Sequence, residues 1–174
     1  MRRTLAATAI AALTLALSAC GGGSEDDETA AKAISDSIMN EQDGGGATDV
    51  FAMKRSEADC IGDGFVDEIG VAQLQEYGFI TEDLKAEPMT SVKMETADAE
   101  AATGVLFDCA DVTELMSEAM AAGQQVDKKT RECLEEVLTE DKLRTMFTLM
   151  FSGKQDQANQ EVVRPLMECA APTQ

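Results

Sequence analysis

The sequence predicts an all-α protein: one small domain of six to seven short helices, stapled by two disulfides and carried behind an export leader. Three observations predict this. Apolar residues recur at spacings of three and four through most of the chain beyond residue 30, the period of a helix with one buried face. Glycines at 44–46, 78, 123 and 153 fall where those periodic stretches stop. Five cysteines are present, and one of them, Cys20, sits at the end of the leader, which leaves an even number for the domain.

The leader comes first. Arg2 and Arg3 form a cationic start, and Leu5 to Leu17 is a 13-residue apolar run broken only by Thr8 and Thr14. A bilayer-spanning helix needs roughly 20 apolar residues, so the run is too short to span. Leu17-Ser18-Ala19-Cys20 resembles the bacterial lipobox. That resemblance implies lipid on the Cys20 thiol, cleavage before Cys20 and acylation of the new amino terminus. The alternative is an ordinary secretory signal cleaved near Ala19. The expected organisation is a signal peptide over 1–19, a lipidated cysteine with a flexible acidic tether over 20–33, and a helical domain over 34–174. Gly21 to Ala33 has spacer composition, and 13 extended residues reach at most about 45 Å.

Beyond the tether lie the domain elements. Ala30, Ile34 and Ile38 open a helical pattern that stops before Gly44. Ser56 is the expected N-cap of the next helix, with Cys60, Ile61, Phe65, Val66 and Ile69 as its buried stripe. Gly70 interrupts it, and Val71, Leu74 and Tyr77 continue as a shorter helix ending near Gly78. Thr81 to Glu95 contains Pro88 and reads as a loop. From Thr96, as N-cap, a long helix is expected to run through Val105, Cys109, Val112, Met116 and Met120 to Gly123. Asp127 or Thr130 opens another through Cys133 and Leu138. Thr139 is an N-cap for a helix through Leu143, Met146, Phe147, Met150 and Phe151, stopping at Gly153. A last helix runs from about Gln155 to Cys169, with Pro165 as a kink point.

The two halves resemble each other, which suggests a duplication with units 34–109 and 110–170. Ser-Glu-Ala-Asp-Cys60-Ile and Gly-Val-Leu-Phe-Asp-Cys109 bound the first. Lys-Thr-Arg-Glu-Cys133-Leu and Arg-Pro-Leu-Met-Glu-Cys169 bound the second. Four cysteines allow three connectivities. The duplication favours Cys60–Cys109 and Cys133–Cys169, each stabilising by about 4 kcal/mol in the chain-entropy picture. An exported chain in an oxidising compartment makes such bridges the default.

Charge and composition narrow the function. The chain has 14 basic and 33 acidic residues, a net −19, and losing Arg2 and Arg3 with the leader makes it −21. Nucleic acid is therefore an unsuitable partner. Anionic headgroups are equally unsuitable, so membrane residence must come from the anchor at Cys20. With no histidine, most Cys/His zinc sites, Ser-His-Asp triads and Cys–His dyads are ruled out.

Asp-Cys60-Ile, Val66-Asp-Glu-Ile-Gly70 with Leu74, Ala-Asp-Ala-Glu-Ala-Ala over 97–102, and Phe-Asp-Cys109-Ala-Asp resemble a loose group of uncharacterised actinobacterial extracytoplasmic lipoproteins. The resemblance spans most of residues 30–170. It implies an outer-face, lipid-anchored location and a helical fold, and carries over no catalytic residue.

Other chemistry weighs little. Asp59, Asp63, Gly64 and Asp67 superficially match a calcium loop, but counting from Asp59 puts Ile61 and Gly70 at ligand positions 3 and 12. Met116 with Met120, and Met146 with Met150, lie four apart as copper(I)-type thioether pairs, yet sit inside apolar stripes. Glu135-Glu136 is a chance carboxylate pair for glycoside hydrolysis, in a chain with no Trp and one Tyr. No Cys-x-x-Cys supports redox catalysis. The expectation is a cofactor-free, non-enzymatic cell-membrane lipoprotein that presents a helical module to an envelope protein or small ligand. An envelope hydrolase using acidic residues, or a cation-binding module, is the alternative. A partner-binding module should expose an apolar patch around Phe147 and Phe151.

Overall fold

A computed structural model describes residues 23–43, 53–87, 92–123 and 128–170. Among these the protein is all-α, with no strand and one isolated bridge between Ile80 and Ala86. The helices are α1 (Glu25–Asp43), α2 (Arg55–Ile69), α3 (Val71–Glu76), α4 (Thr96–Cys109), α5 (Val112–Gly123), α6 (Lys128–Val137) and α7 (Glu140–Phe151). A continuous last segment joins α8 (Gln155–Ala158), a π-helical turn (Asn159–Val163) and α9 (Arg164–Ala170).

The first helix starts earlier than its apolar period suggests. Ser24 Oγ accepts from the Asp27 N–H at 3.2 Å, and Asp27 Oδ2 accepts from the Ser24 N–H at 2.7 Å. This reciprocal pair satisfies two donors that a helix start leaves open. Glu25, Asp26, Asp27 and Glu28 then lie in the first turn, where the helix dipole favours negative charge. Residues 25–33 are therefore helix, in place of the flexible tether expected over 20–33; residues 20–22 lie outside the described residues. Acidic composition resembled a spacer; the capping geometry makes it a helix start.

Two apolar cores organise the molecule. In the first, α1 and α4 both pack against α2. Ala30, Ala31 and Ala58 are small at the α1–α2 crossing, and a Cβ on Gly62 would overlap the Ala31 carbonyl oxygen. Gly62 thus permits the backbones to touch. Ile61, Phe65, Leu74, Phe79, Ile80, Met94, Ala99 and Ala102 fill the centre. Gly70 joins α2 to α3 at φ 86°, ψ 147°, a conformation side chains other than hydrogen resist. Gly78 ends α3 with two bonds, Gly78 N–H to Gln75 O and Phe79 N–H to Leu74 O, the six-to-one and five-to-two closure that glycine favours.

The second core comprises Leu134, Leu138, Leu143, Met146, Ala158, Val162 and Cys169 from α6, α7, α8, the π turn and α9. Each core carries one bridge, Cys60–Cys109 joining α2 to α4 and Cys133–Cys169 joining α6 to α9, with Cα atoms 5.5 and 5.6 Å apart. These are the pairs the suggested duplication favours. Contact of α4 with α7 connects the cores. There the Thr148 hydroxyl donates to the Thr103 hydroxyl at 3.0 Å, and Thr103 in turn donates to the Ala99 carbonyl.

Several boundaries differ from the sequence reading. Helix α2 begins after Lys54, not at Ser56, because Glu57 reaches back to the Lys54 N–H at 2.7 Å. The residue before α4 is Glu95, and Thr96 is already helical. The long helix expected from Thr96 to Gly123 is two. Ala110 is extended at φ −140°, ψ 147°, and Asp111 Oδ1 caps α5 by accepting from the Glu114 N–H at 2.8 Å. Thr139 precedes α7, and Gly153 ends it at φ 69°, as expected. The π turn stands just before Pro165, where Arg164 N–H bonds the Asn159 carbonyl. Proline lacks the N–H that would reach Glu161, and the wider turn relieves its ring. Asp127 and Pro88 lie outside the described residues.

Candidate functional site

Cys20, the proposed lipid site, lies outside the described residues. No helix among the described residues is long and apolar enough to cross a membrane. The other four cysteines are all in disulfides.

The carboxylates that superficially match a calcium loop lie on α2 itself. Asp59 accepts from the Arg55 Nε at 2.8 Å and from the hydroxyl of buried Ser35. Arg55 also reaches Asp36 across the α1–α2 crossing at 2.6 Å, and Lys32 pairs with Asp36 from one turn back. Hydrogen bonds from Lys32 and then Arg55 hold the Asp36 carboxyl below its ordinary value, and Asp36 raises Arg55 in return. Asp59 is thus part of an interhelical clamp, while Asp63 and Asp67 face solvent. A straight helix cannot wrap these groups around one ion. No group of three Cys, Asp or Glu side chains among the described residues is placed to hold a metal.

Met146 is buried in the second core while Met150 is 44 % exposed. Met116 packs against the second core, and the Met120 side chain lies outside the described set. Glu135 and Glu136 are both exposed on α6 and line neither of the two depressions described below.

The apolar patch expected around Phe147 and Phe151 is not exposed. Phe151 meets Phe65 edge-on at 6.3 Å, Phe147 meets Phe107 edge-on at 6.0 Å, and the two rings lie 6.4 Å from each other. They span the joint between the cores, where burial on both sides outweighs exposure. Met150 and Met167 are the large apolar side chains left open to solvent among the described residues, Met167 at 69 %.

Among the described residues, two open depressions are of interest. One, of about 320 Å³, sits at the α4–α5 elbow against the start of α7. Phe107, Cys109 and Val112 form its apolar wall, and Asp108, Asp111 and Glu140 its rim. Arg144 bonds Glu140 at 2.8 Å and lies 4.4 Å over the Phe107 ring, a cation–π contact that closes one side. The second, of about 480 Å³, lies between α1 and residues 84–86, bordered by Ser37, Asn40, Leu84 and Lys85. Neither gathers a nucleophile, base and oxyanion donor.

Sequence reasoning missed Tyr77. Its hydroxyl donates to Asp98 Oδ2 at 2.6 Å and accepts from the Glu95 N–H at 3.1 Å, tying the end of α3 to the start of α4. The Asp98 bond, foremost, raises the phenol above its ordinary value. The arrangement holds a helix start and leaves no free phenolate for chemistry. Comparison with known family models, curated proteins and solved structures finds no match to this chain.

Proposed function

We propose that the protein is a lipid-anchored, non-enzymatic module on the outer face of the cell membrane, presenting a disulfide-stapled helical domain to an envelope protein or small ligand. One observation carries the reading. Four of the five cysteines pair within the domain, and the one left over follows the leader at the lipobox position. A bilayer-resident role for Cys20 leaves the acidic domain in water, where its charge keeps it soluble. The rimmed depression at the α4–α5 elbow is where a cationic or amide-bearing group of a partner would seat, facing Asp108, Asp111 and Glu140.

The anchor is tested by the mass of the amino-terminal peptide from membrane-extracted protein. An acylated peptide starting at Cys20 is expected, together with release of Cys20→Ser into the soluble fraction. A product starting at Met1, or membrane retention of Cys20→Ser, overturns the reading. In-cell crosslinking from the elbow tests presentation: Asp111→Lys is expected to abolish a captured band that Glu135→Lys leaves intact.

A further inference from the structure

The two disulfides stand in different environments, and the difference has chemical content. Cys60 is an exposed residue near the middle of α2. Its partner Cys109 forms part of the wall of the open depression at the α4–α5 elbow. In the other bridge Cys169 is 8 % exposed and belongs to the second core, with Cys133 packed against it.

The bridges also differ in what else holds the helices they join. Helices α2 and α4 share the first core: Phe65 and Val66 from one, Ala102 and Val105 from the other. A Cβ on Gly64 would come within 2.6 Å of Val105 Cγ1, so the two helices already touch without the bridge. Helix α6 has α9 as its main packing partner, and Cys133–Cys169 crosses that same contact. One bridge is redundant with packing and has an exposed end at Cys60; the other has a buried end at Cys169 and secures a helix.

We propose that Cys60–Cys109 is a thiol-exchange site, opened and closed on the folded protein by a dithiol, while Cys133–Cys169 stays shut. A dithiol thiolate attacks Cys60 Sγ, the Cys60–Cys109 bond breaks, and Cys109 leaves as a thiolate that takes a proton. The second thiol, once deprotonated, attacks the mixed disulfide at the reductant's sulfur. Cys60 is released and protonated, and the dithiol departs as a disulfide. Two electrons and two protons move from dithiol to protein, and the reverse steps reclose the bridge.

The surroundings set which thiols react. Asp63 lies one turn along from Cys60 on α2, and Asp108 directly precedes Cys109. Both are exposed carboxylates, so a neutral dithiol approaches more readily than the anionic tripeptide glutathione.

The test is timed reduction of the native, full-length mature protein with dithiothreitol, quenched by alkylation and read by peptide mass mapping. Cys60 and Cys109 should be alkylated together, at least about tenfold sooner than Cys133 and Cys169, with helical circular dichroism retained. Dithiothreitol at equal thiolate concentration should outpace glutathione, and added salt should narrow the gap. Simultaneous opening of both bridges, earlier opening of Cys133–Cys169, or loss of helix with the first bridge would overturn the proposal. A Cys60→Ser/Cys109→Ser variant should remain folded with the second bridge intact; failure to fold overturns it as well.

Discussion

Gly62 is where a single hydrogen atom decides a helix crossing. Its missing Cβ would occupy the space of the Ala31 carbonyl oxygen, and backbone cannot swing aside as a side-chain tip can. Gly62→Ala is expected to cost about 2 kcal/mol, by separating α1 from α2. Gly104, with open space around it in α4, is the control. Gly104→Ala should be neutral or stabilising by up to about 1 kcal/mol, because alanine favours a helix interior. Urea denaturation of the two variants checks both signs. The Asp36 clamp adds a pH signature. Its folded carboxyl titrates below the ordinary 3.8, so its contribution is complete above that value and is lost as pH falls through the folded one. In Lys32→Met/Arg55→Met the fall in melting temperature between about pH 4 and about pH 2 should become shallower. An unchanged acid limb would show that Asp36 is not held by these two cations.

At the scale of the helix, the ends are settled by whichever polar group reaches the open amides first. The elbow between α4 and α5 illustrates this. Cys109, Val112, Leu115 and Met116 keep a helical period across it, so the sequence reads as one long helix. Ala110 nevertheless extends, and Asp111 caps α5. Asp111→Ala should cost about 1 kcal/mol and Asp111→Asn much less, since asparagine caps comparably. Equal losses in the two, measured by thermal melting, would show that the cap is not what holds α5. The start of α1 has the same logic, and here a signal was present. Ser24 and Asp27 have the serine-to-acid spacing of a capping box, hidden inside a run that resembles a charged spacer. If Cys20 carries lipid, only three residues, Gly21 to Gly23, separate the anchor from Ser24, which is four peptide steps away. Their contour is at most about 14 Å, which holds the amino-terminal end of α1 near the bilayer.

For the molecule as a whole, the question is how two cores behave as one. Phe151 reaches Phe65 in the first core, Phe147 reaches Phe107, and Arg144 covers the Phe107 ring from the far side. The Thr148–Thr103 hydroxyl pair lies along the same α4–α7 contact. Phe147→Ala/Phe151→Ala should therefore do more than lower stability by about 2–3 kcal/mol per ring. It should separate the unfolding of the two halves, turning one urea transition into two, each half kept intact by its own disulfide. A single, uniformly shifted transition would mean that the cores communicate by another route.

The sequence alone determined the helical class and the glycine stops after α3 and α7, and it favoured, among three connectivities, the cysteine pairing found. Each follows from periodicity, local backbone freedom or the likeness of the two halves, and none needs knowledge of what lies opposite. Tertiary structure decided that Phe147 and Phe151 join the cores and that Asp59 and Tyr77 serve as struts between helices. Those outcomes depend on groups distant in the chain competing for the same amide, ring face or carboxylate. A pattern read along one strand of sequence has no record of that competition.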